Sequence, residues 1–228
     1  WVSMNGDAKP DYPAPIGYQS PWYKQYNYIE DHFARLATVL SRGTPDVRVG
    51  VIHPIESFWL YTGPNDKTAI RRAYLDNQFK LLTDSLCYGG VDFDFIAESL
   101  LPDLCHEGSN PLKVGKMEYD CIIVPVMETM RSTTLERLKA FSDQGGKVII
   151  LGKAPELVDA LPNNKVTEIA KNWDNIDIDY ISLIDKLEPF RFVNIFNKNQ
   201  GVRASNIVHQ IRNDGDDKWL FFCHAQDR

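Results

Sequence analysis

Four short apolar segments, separated by helical patterns and glycine breaks, constrain the fold of this chain more than any other feature. They cover residues 47–52, 91–96, 119–124 and 147–151. Helical patterns occupy residues 66–87 and about 133–144, and each is followed by a Gly-Gly pair. Nearly continuous apolar strands that alternate with helices predict a parallel sheet covered on both faces.

The connection rules narrow the architecture further. Strand–helix–strand crossovers are right-handed, which predicts a doubly wound, flavodoxin-like α/β fold with flanking helices. Residues 163–188 combine several Asp residues with scattered apolar positions and predict short helices. Short apolar runs and the turn signal at 213–217 predict a C-terminal β segment. This segment is either the last edge of the sheet or the first hairpin of a β-sandwich.

The expected organisation has three parts. Residues 1–44 form a linker and a helix, residues 45–188 the flavodoxin-like domain, and residues 189–228 the β segment. Residues 1–28 hold five of the ten Tyr and four of the thirteen Pro, which is typical of an extended segment lying on a surface. Because the chain starts without Met and stops just after a strand-like run, we expect it to be a piece of a longer protein.

Composition excludes several partners. The chain has 25 Lys and Arg against 31 Asp and Glu, and this net charge of −6 argues against nucleic-acid binding. No apolar run approaches the roughly 18 to 20 residues that a membrane span needs. The four Cys lack CxxC spacing and the five His do not cluster, so no metal site is expected. A cytoplasmic and a secreted location both stay open.

Loops at the carboxyl ends of parallel strands are where such a fold binds ligands. The loop after the first strand begins His53-Pro54-Ile55-Glu56 and lacks the glycines that a phosphate site needs, so no cofactor is expected. No Cys or Ser stands on a nucleophile elbow, so no catalytic residue is assigned. Aromatic and acidic side chains near these ends are the substrate-binding candidates: His53, Glu56, Trp59, Tyr18, Trp22 and Glu128. Loop carboxylates, helix caps and domain-interface aromatics are the alternative interpretations.

Several stretches together resemble a known family. Residues 28–61, Asp92–Ile96, Tyr119–Pro125 and Phe141–Ile149 look like the junction and the domain that follow the catalytic barrel in large bacterial glycoside hydrolases. That domain is similar to the β-galactosidase trimerisation domain and to class I glutamine amidotransferases without their nucleophile. The resemblance is nearest to rhamnosidase-like and related multidomain enzymes, and it covers about residues 20–160.

The resemblance implies a non-catalytic accessory domain of a carbohydrate-active enzyme. Its partner would be an upstream catalytic barrel of the same polypeptide, since an eight-stranded barrel needs about 250 residues of its own. Contact with a carbohydrate and with a second copy of the chain are further expectations. Two alternatives stay open at this point: a stand-alone amidotransferase-like hydrolase with a Cys nucleophile, and a pure protein-interaction module.

Overall fold

The computed structural model describes residues 17–18 and 20–225. Its α-helices are α1 (Tyr26–Leu40), α2 (Ile55–Trp59), α3 (Asn65–Tyr88), α4 (Leu101–Leu104), α5 (Ser132–Asp143), α6 (Lys165–Ile169) and α7 (Tyr180–Lys186). Its strands are β1 (Thr44–Pro45), β2 (Val49–Ile52), β3 (Phe93–Ile96), β4 (Leu112–Val114), β5 (Met117–Tyr119), β6 (Cys121–Val124), β7 (Thr129–Met130), β8 (Lys147–Leu151), β9 (Leu157–Val158), β10 (Leu161–Pro162), β11 (Asp174–Ile176), β12 (Ile207–Asp214) and β13 (Asp217–His224).

The central sheet has five strands in the order β11–β8–β6–β2–β3, and every neighbouring pair is parallel. If these strands are renumbered one to five along the chain, their spatial order is 2-1-3-4-5. This is the strand order of the flavodoxin-like doubly wound fold. The predicted fold class is therefore confirmed.

The sheet is buried on both faces, as its apolar strands predict. Along β6 and β8, successive side chains enter two different cores: Ile122 and Ile150 pack with the cluster that includes Phe141, whereas Ile123 and Ile149 pack with the cluster that includes Leu82. Alternation with a period of two is the normal geometry of a strand. Helix α5 therefore covers one face of the sheet, and α3 with α7 covers the other.

Helix α3 buries only part of the face that its apolar residues predict. The sequence pattern places Ile70 and Tyr74 inward together with Leu82 and Leu86, but Ile70 is 89% exposed and Tyr74 is 37% exposed. The buried positions are Leu75, Leu82 and Leu86, which follow helical spacing. The first turns of this 24-residue helix therefore lie outside the core, and burial begins at Leu75.

Strand β11 is absent from the sequence prediction. Its residues Asp174 and Asn175 are polar, and only Ile176 is buried. A strand at the edge of the sheet needs few apolar residues, because it has one neighbour only. This strand is therefore defined by its backbone pairing with β8 and not by a hydrophobic pattern. The pairing runs from Asp174 opposite Ile149 to Ile176 opposite Leu151.

The chain divides into two compact units. The larger consists of Pro45–Ile211 and the described residues from Phe222 onward, and it contains the five-stranded sheet. The smaller consists of the described residues up to Thr44 together with Arg212–Phe221. Within the smaller unit, the Arg212 guanidinium donates to the carbonyl oxygen of Gly43 at 2.9 Å. The strands β1, β12 and β13 form a three-stranded sheet of their own, separate from the central one.

Candidate functional site

The loops that follow β2 and β6 leave the sheet at its topological switch point. These two strands are neighbours in the sheet, and in this fold ligands bind outside the carboxyl ends of the strands at that point. The loop after β2 carries helix α2, and the loop after β6 runs from Pro125 to the short strand β7. These two segments are therefore where a ligand site is expected in this fold.

A buried serine joins the two loops. Ser57 lies on α2 and is fully buried. Its hydroxyl oxygen accepts the backbone N–H groups of Glu128 at 2.9 Å and Thr129 at 3.1 Å, and the hydroxyl lies 3.3 Å from the carbonyl oxygen of Thr129, to which it donates. Sequence reasoning did not select Ser57, and the only signal was a small polar residue among the bulky side chains of α2.

On one side of this contact lies a crevice of about 480 Å³, here called the Tyr61 crevice. Its polar lining consists of Tyr61, Arg71, Tyr74, Glu128, Lys153 and Glu156. The Glu128 carboxylate accepts hydrogen bonds from the Tyr61 hydroxyl and the Arg71 guanidinium. The guanidinium carbon of Arg71 also lies 5.0 Å from the ring centroid of Tyr74. The negative charge of Glu128 is thus neutralised by a neighbouring cation.

The Glu128 carboxylate changes the pKa of the Tyr61 hydroxyl. Its hydrogen bond to Glu128 holds the pKa of the Tyr61 hydroxyl above its usual range, and burial acts in the same direction. Arg71 opposes the shift but does not cancel it. Tyr61 is therefore a hydrogen-bond donor at neutral pH and is not suited to act as a base.

A second cavity, of about 390 Å³, lies beside α2 and is called the Trp59 pocket here. It is lined by Glu56, Trp59, Leu60, Thr129, Arg131, Asp159 and Ala160. Glu56 and Trp59 are three positions apart on α2, a spacing that places both on one side of a helix. Arg131 donates from Nε to Oε1 of Glu56 at 2.7 Å. The other carboxylate oxygen of Glu56, Oε2, is buried and has no hydrogen-bond partner in the described structure.

Two further carboxyl groups hold the backbone around Arg131. Glu98 is fully buried and accepts the Arg131 backbone N–H at 2.8 Å. Asp159 accepts the backbone N–H of Ser132, the first residue of α5, at 3.0 Å. Burial raises the pKa of the Glu98 carboxyl to about 7, whereas the Ser132 N–H lowers the pKa of Asp159. The start of α5 is therefore already satisfied by two acidic side chains.

The turn at the edge of the Trp59 pocket is strained. Strands β9 and β10 pair as an antiparallel hairpin whose two loop residues are Asp159 and Ala160, with φ angles of 50° and 63°. Two consecutive residues at positive φ make a type I′ turn, which normally contains Asn-Gly or Gly-Gly. The Ala160 N–H donates to the Thr129 hydroxyl at 3.0 Å and helps to hold this conformation.

His53 lies in neither of these two cavities. Its ring makes edge contacts with Phe79 at 5.3 Å and Phe95 at 6.0 Å between centroids. A smaller, mostly apolar cavity of about 240 Å³ is formed by His53, Phe58, Leu75 and their neighbours. The surroundings of His53 are thus those of a packed aromatic cluster.

The sequence-predicted candidates fall into four places. Glu56 and Trp59 share the Trp59 pocket, Glu128 lines the Tyr61 crevice, and His53 belongs to the aromatic cluster. Tyr18 and Trp22 belong to the smaller unit, where their side chains are 80% and 54% exposed. Glu56 and Glu128 are each paired with a different arginine. Ser57, Glu98, Arg131 and Asp159 complete the neighbourhood and were not selected from the sequence.

The described cysteines do not form a nucleophilic site. Cys121 is the first residue of β6, far from its carboxyl end, and burial raises its thiol pKa to about 12. Burial also raises the pKa of Cys87 and Cys105, and Cys223 is an exposed residue of β13. Among residues 17–18 and 20–225, no group of three His, Cys, Asp or Glu side chains could hold a metal ion. In the same residues, no helix has both the length and the apolar character of a membrane span.

Comparison with known proteins does not assign a family. No family model matches the chain, and no curated protein matches it. Among solved structures, the chain is similar to the apo form of an exo-carrageenase of family GH42 from Bacteroides ovatus, with 12% sequence identity and a TM-score of 0.43. The match covers 74% of this chain and 19% of that enzyme. A likeness of this size supports no conclusion about activity.

Proposed function

We propose that this chain is a non-catalytic α/β domain of a carbohydrate-active glycoside hydrolase, where it supports a catalytic barrel located upstream in the same polypeptide. The proposal that the domain is non-catalytic is supported by the side chains of the two loops after β2 and β6, at the switch point. Glu128 is neutralised by Arg71, Glu56 is paired with Arg131, and none of the four cysteines lies in the loop between β6 and β7. A flavodoxin-like fold with an active site would place its reactive groups at this point.

The carbohydrate part of the proposal rests on the sequence resemblance to the post-barrel domain of large bacterial glycoside hydrolases. A supporting role agrees with the surface of α1. This helix of 15 residues has an apolar stripe, yet none of its residues is buried. Ile29 and Phe33 on that stripe are 47% and 62% exposed. Removing apolar area from water is favourable by about 25 cal/mol per Å², so a neighbouring domain or a second copy would be stabilised by covering it.

The alternative of a stand-alone hydrolase with a Cys nucleophile is not favoured. A nucleophilic cysteine has a lowered pKa in an exposed, electropositive environment. Cys87, Cys105 and Cys121 have raised pKa values instead. Cys223 lies on β13, outside the five-stranded sheet.

Two measurements test the proposal. The first is the reading frame upstream of Trp1, where we expect at least about 250 codons with the strand–helix alternation of a barrel. A start codon close to Trp1 contradicts the accessory-domain reading. The second is an assay of the isolated chain with nitrophenyl glycosides and with glutamine as substrates. We expect no turnover of either, and turnover would overturn the non-catalytic assignment.

A further inference from the structure

We infer that the Trp59 pocket is a binding site for a neutral saccharide ring. The inference gives the proposed carbohydrate role a definite place and ligand class, and in that sense it rests on the proposed function. The other candidates are weaker, because Glu128 in the Tyr61 crevice is already satisfied by two partners and the His53 cavity is mainly apolar. Of the three cavities described above, the Trp59 pocket is the one that combines a flat aromatic surface with a buried acceptor that lacks a partner.

The aromatic part of the site is Trp59. Its side chain is 56% exposed although it belongs to a helix that is anchored from within by Ser57. A large amphipathic ring that stays exposed beside a cavity is available for contact with a ligand that has one apolar face. The C–H face of a pyranose ring has that property, and its edge carries hydroxyl groups.

The polar part of the site is the Glu56–Arg131 pair. Oε1 of Glu56 accepts from Arg131, but Oε2 is buried without a partner, and a buried acceptor that stays unpaired is costly. Because Oε2 has almost no exposed surface, a ligand hydroxyl reaches it after a small rotation of the Glu56 side chain. The hydroxyl then donates to Oε2 and keeps its own lone pairs available for a donor. Arg131, whose side chain is 37% exposed, presents a donor at the same place. The cavity volume of about 390 Å³ lies in the range of small-ligand sites.

The charges favour a neutral ring over an acidic one. Two carboxylates, Glu56 and Asp159, line the pocket against one guanidinium, that of Arg131. The nearby start of α5 would attract an anion, but Glu98 and Asp159 already accept its first N–H groups. A uronate carboxylate would therefore meet like charges, and two N–H groups at the start of α5 already have acidic acceptors.

The strained turn supports a functional reading of this pocket. Glycine would relieve the strain at Ala160, whose φ is 63°. Alanine keeps a methyl group on the pocket wall, and Asp159 keeps the carboxylate that caps α5. Strain of this kind persists where the surrounding structure requires it and is frequent at ligand sites.

The test is an NMR titration of the 228-residue chain, labelled with ¹⁵N, with D-glucose and D-galactose and with their uronates. These probes differ in pairs only by a carboxylate at C6. We expect saturable shifts of the Trp59 indole N–H with millimolar Kd for at least one neutral hexose, and at least tenfold weaker binding of its uronate. Trp59→Ala should abolish the binding, whereas Trp22→Ala, which removes a similarly exposed tryptophan of the other unit, should leave it unchanged.

Several results would overturn the inference. They are the absence of saturable shifts at Trp59 with either hexose up to 100 mM, equal binding of hexose and uronate, and unchanged binding in Trp59→Ala. Glu56→Gln, which keeps an acceptor and removes the charge, should weaken hexose binding and reduce the discrimination against the uronate. If the chain binds hexose but no barrel is encoded upstream, the proposed function is wrong and this inference stands. If a barrel is encoded upstream but the chain does not bind hexose, this inference is wrong and the proposed function stands.

Discussion

The Ser57 hydroxyl oxygen lies 2.9 Å from the backbone nitrogen of Glu128, and it also accepts the next N–H along the chain. One buried side chain of α2 therefore fixes the position of the loop that follows β6. The two cavities at the switch point lie on either side of this contact, since Glu128 lines one of them and Thr129 the other. The Ser57 contact therefore joins the two loops that line the candidate site.

Removing this hydroxyl should destabilise the domain. Ser57→Ala leaves two buried N–H groups without their acceptor, and each unsatisfied buried group costs about 1–3 kcal/mol. We expect the free energy of unfolding in urea to fall by about 2 kcal/mol, with an unchanged m-value. Ser205→Ala is the control, because Ser205 is exposed. Equal stability of the two variants would show that the Ser57 contact is not needed.

Glu98 should make the domain less stable as pH rises. Its folded pKa is about 7 and its ordinary value is 4.5, so the folded state holds the proton more tightly. The resulting stabilisation is complete below about pH 4.5 and disappears as pH rises through 7; at 1.36 kcal/mol per unit it amounts to at most about 3 kcal/mol.

Glu98→Gln tests this pH dependence. We expect the variant to lose less stability than the wild type between pH 5 and 8, as measured by urea unfolding at each pH. Part of the slope should persist, because burial also raises the pKa of Asp92, to about 6. Glu136→Gln, at an exposed position of α5, should keep the full wild-type slope. A Glu98→Gln profile parallel to the wild type would contradict the assignment.

Replacing Ala by Gly should have opposite effects on stability in the type I′ turn and in a helix. Ala160→Gly relieves a backbone at positive φ and should stabilise the domain by about 1 kcal/mol. Ala69→Gly, at an exposed position in α3, should destabilise it by about 1 kcal/mol. Thermal unfolding measures both. A loss of stability at Ala160 would mean that the methyl group contributes more than the strain costs.

The four cysteines should differ in reactivity. Cys223 is exposed, whereas Cys105 and Cys121 are buried and Cys87 is partly buried with a raised pKa. In the native protein at pH 7.5, we expect that no thiol reacts rapidly with iodoacetamide. Cys223 should react first, and slowly. In denaturant, all four thiols should react. Mass spectrometry identifies the sites. Rapid labelling of Cys87, Cys105 or Cys121 in the native protein would support the alternative of a hydrolase with a Cys nucleophile.

Much of the fold could be predicted from the sequence because the central strands are buried on both faces. A strand such as β8, whose last four residues are all buried, has to be apolar at consecutive positions, and such a run is visible in the residues alone. β11 was missed for the converse reason, since an edge strand with one buried residue has no such pattern. The inward face of α3 was predicted correctly at Leu82 and Leu86 and wrongly at Ile70, because exposed apolar residues carry the same signal as buried ones.

The sequence by itself determined the parallel sheet of a flavodoxin-like fold, four of its five strands and the segments at their carboxyl ends, because burial on two faces and right-handed crossovers leave few alternatives. Only the tertiary structure decided which side chains meet there. Ser57 reaches Glu128 across 71 positions, Arg131 reaches Glu56 across 75, and Asp159 meets Ser132 across 27. Contacts between such distant positions depend on how the loops pack, and local sequence patterns carry no information about that packing.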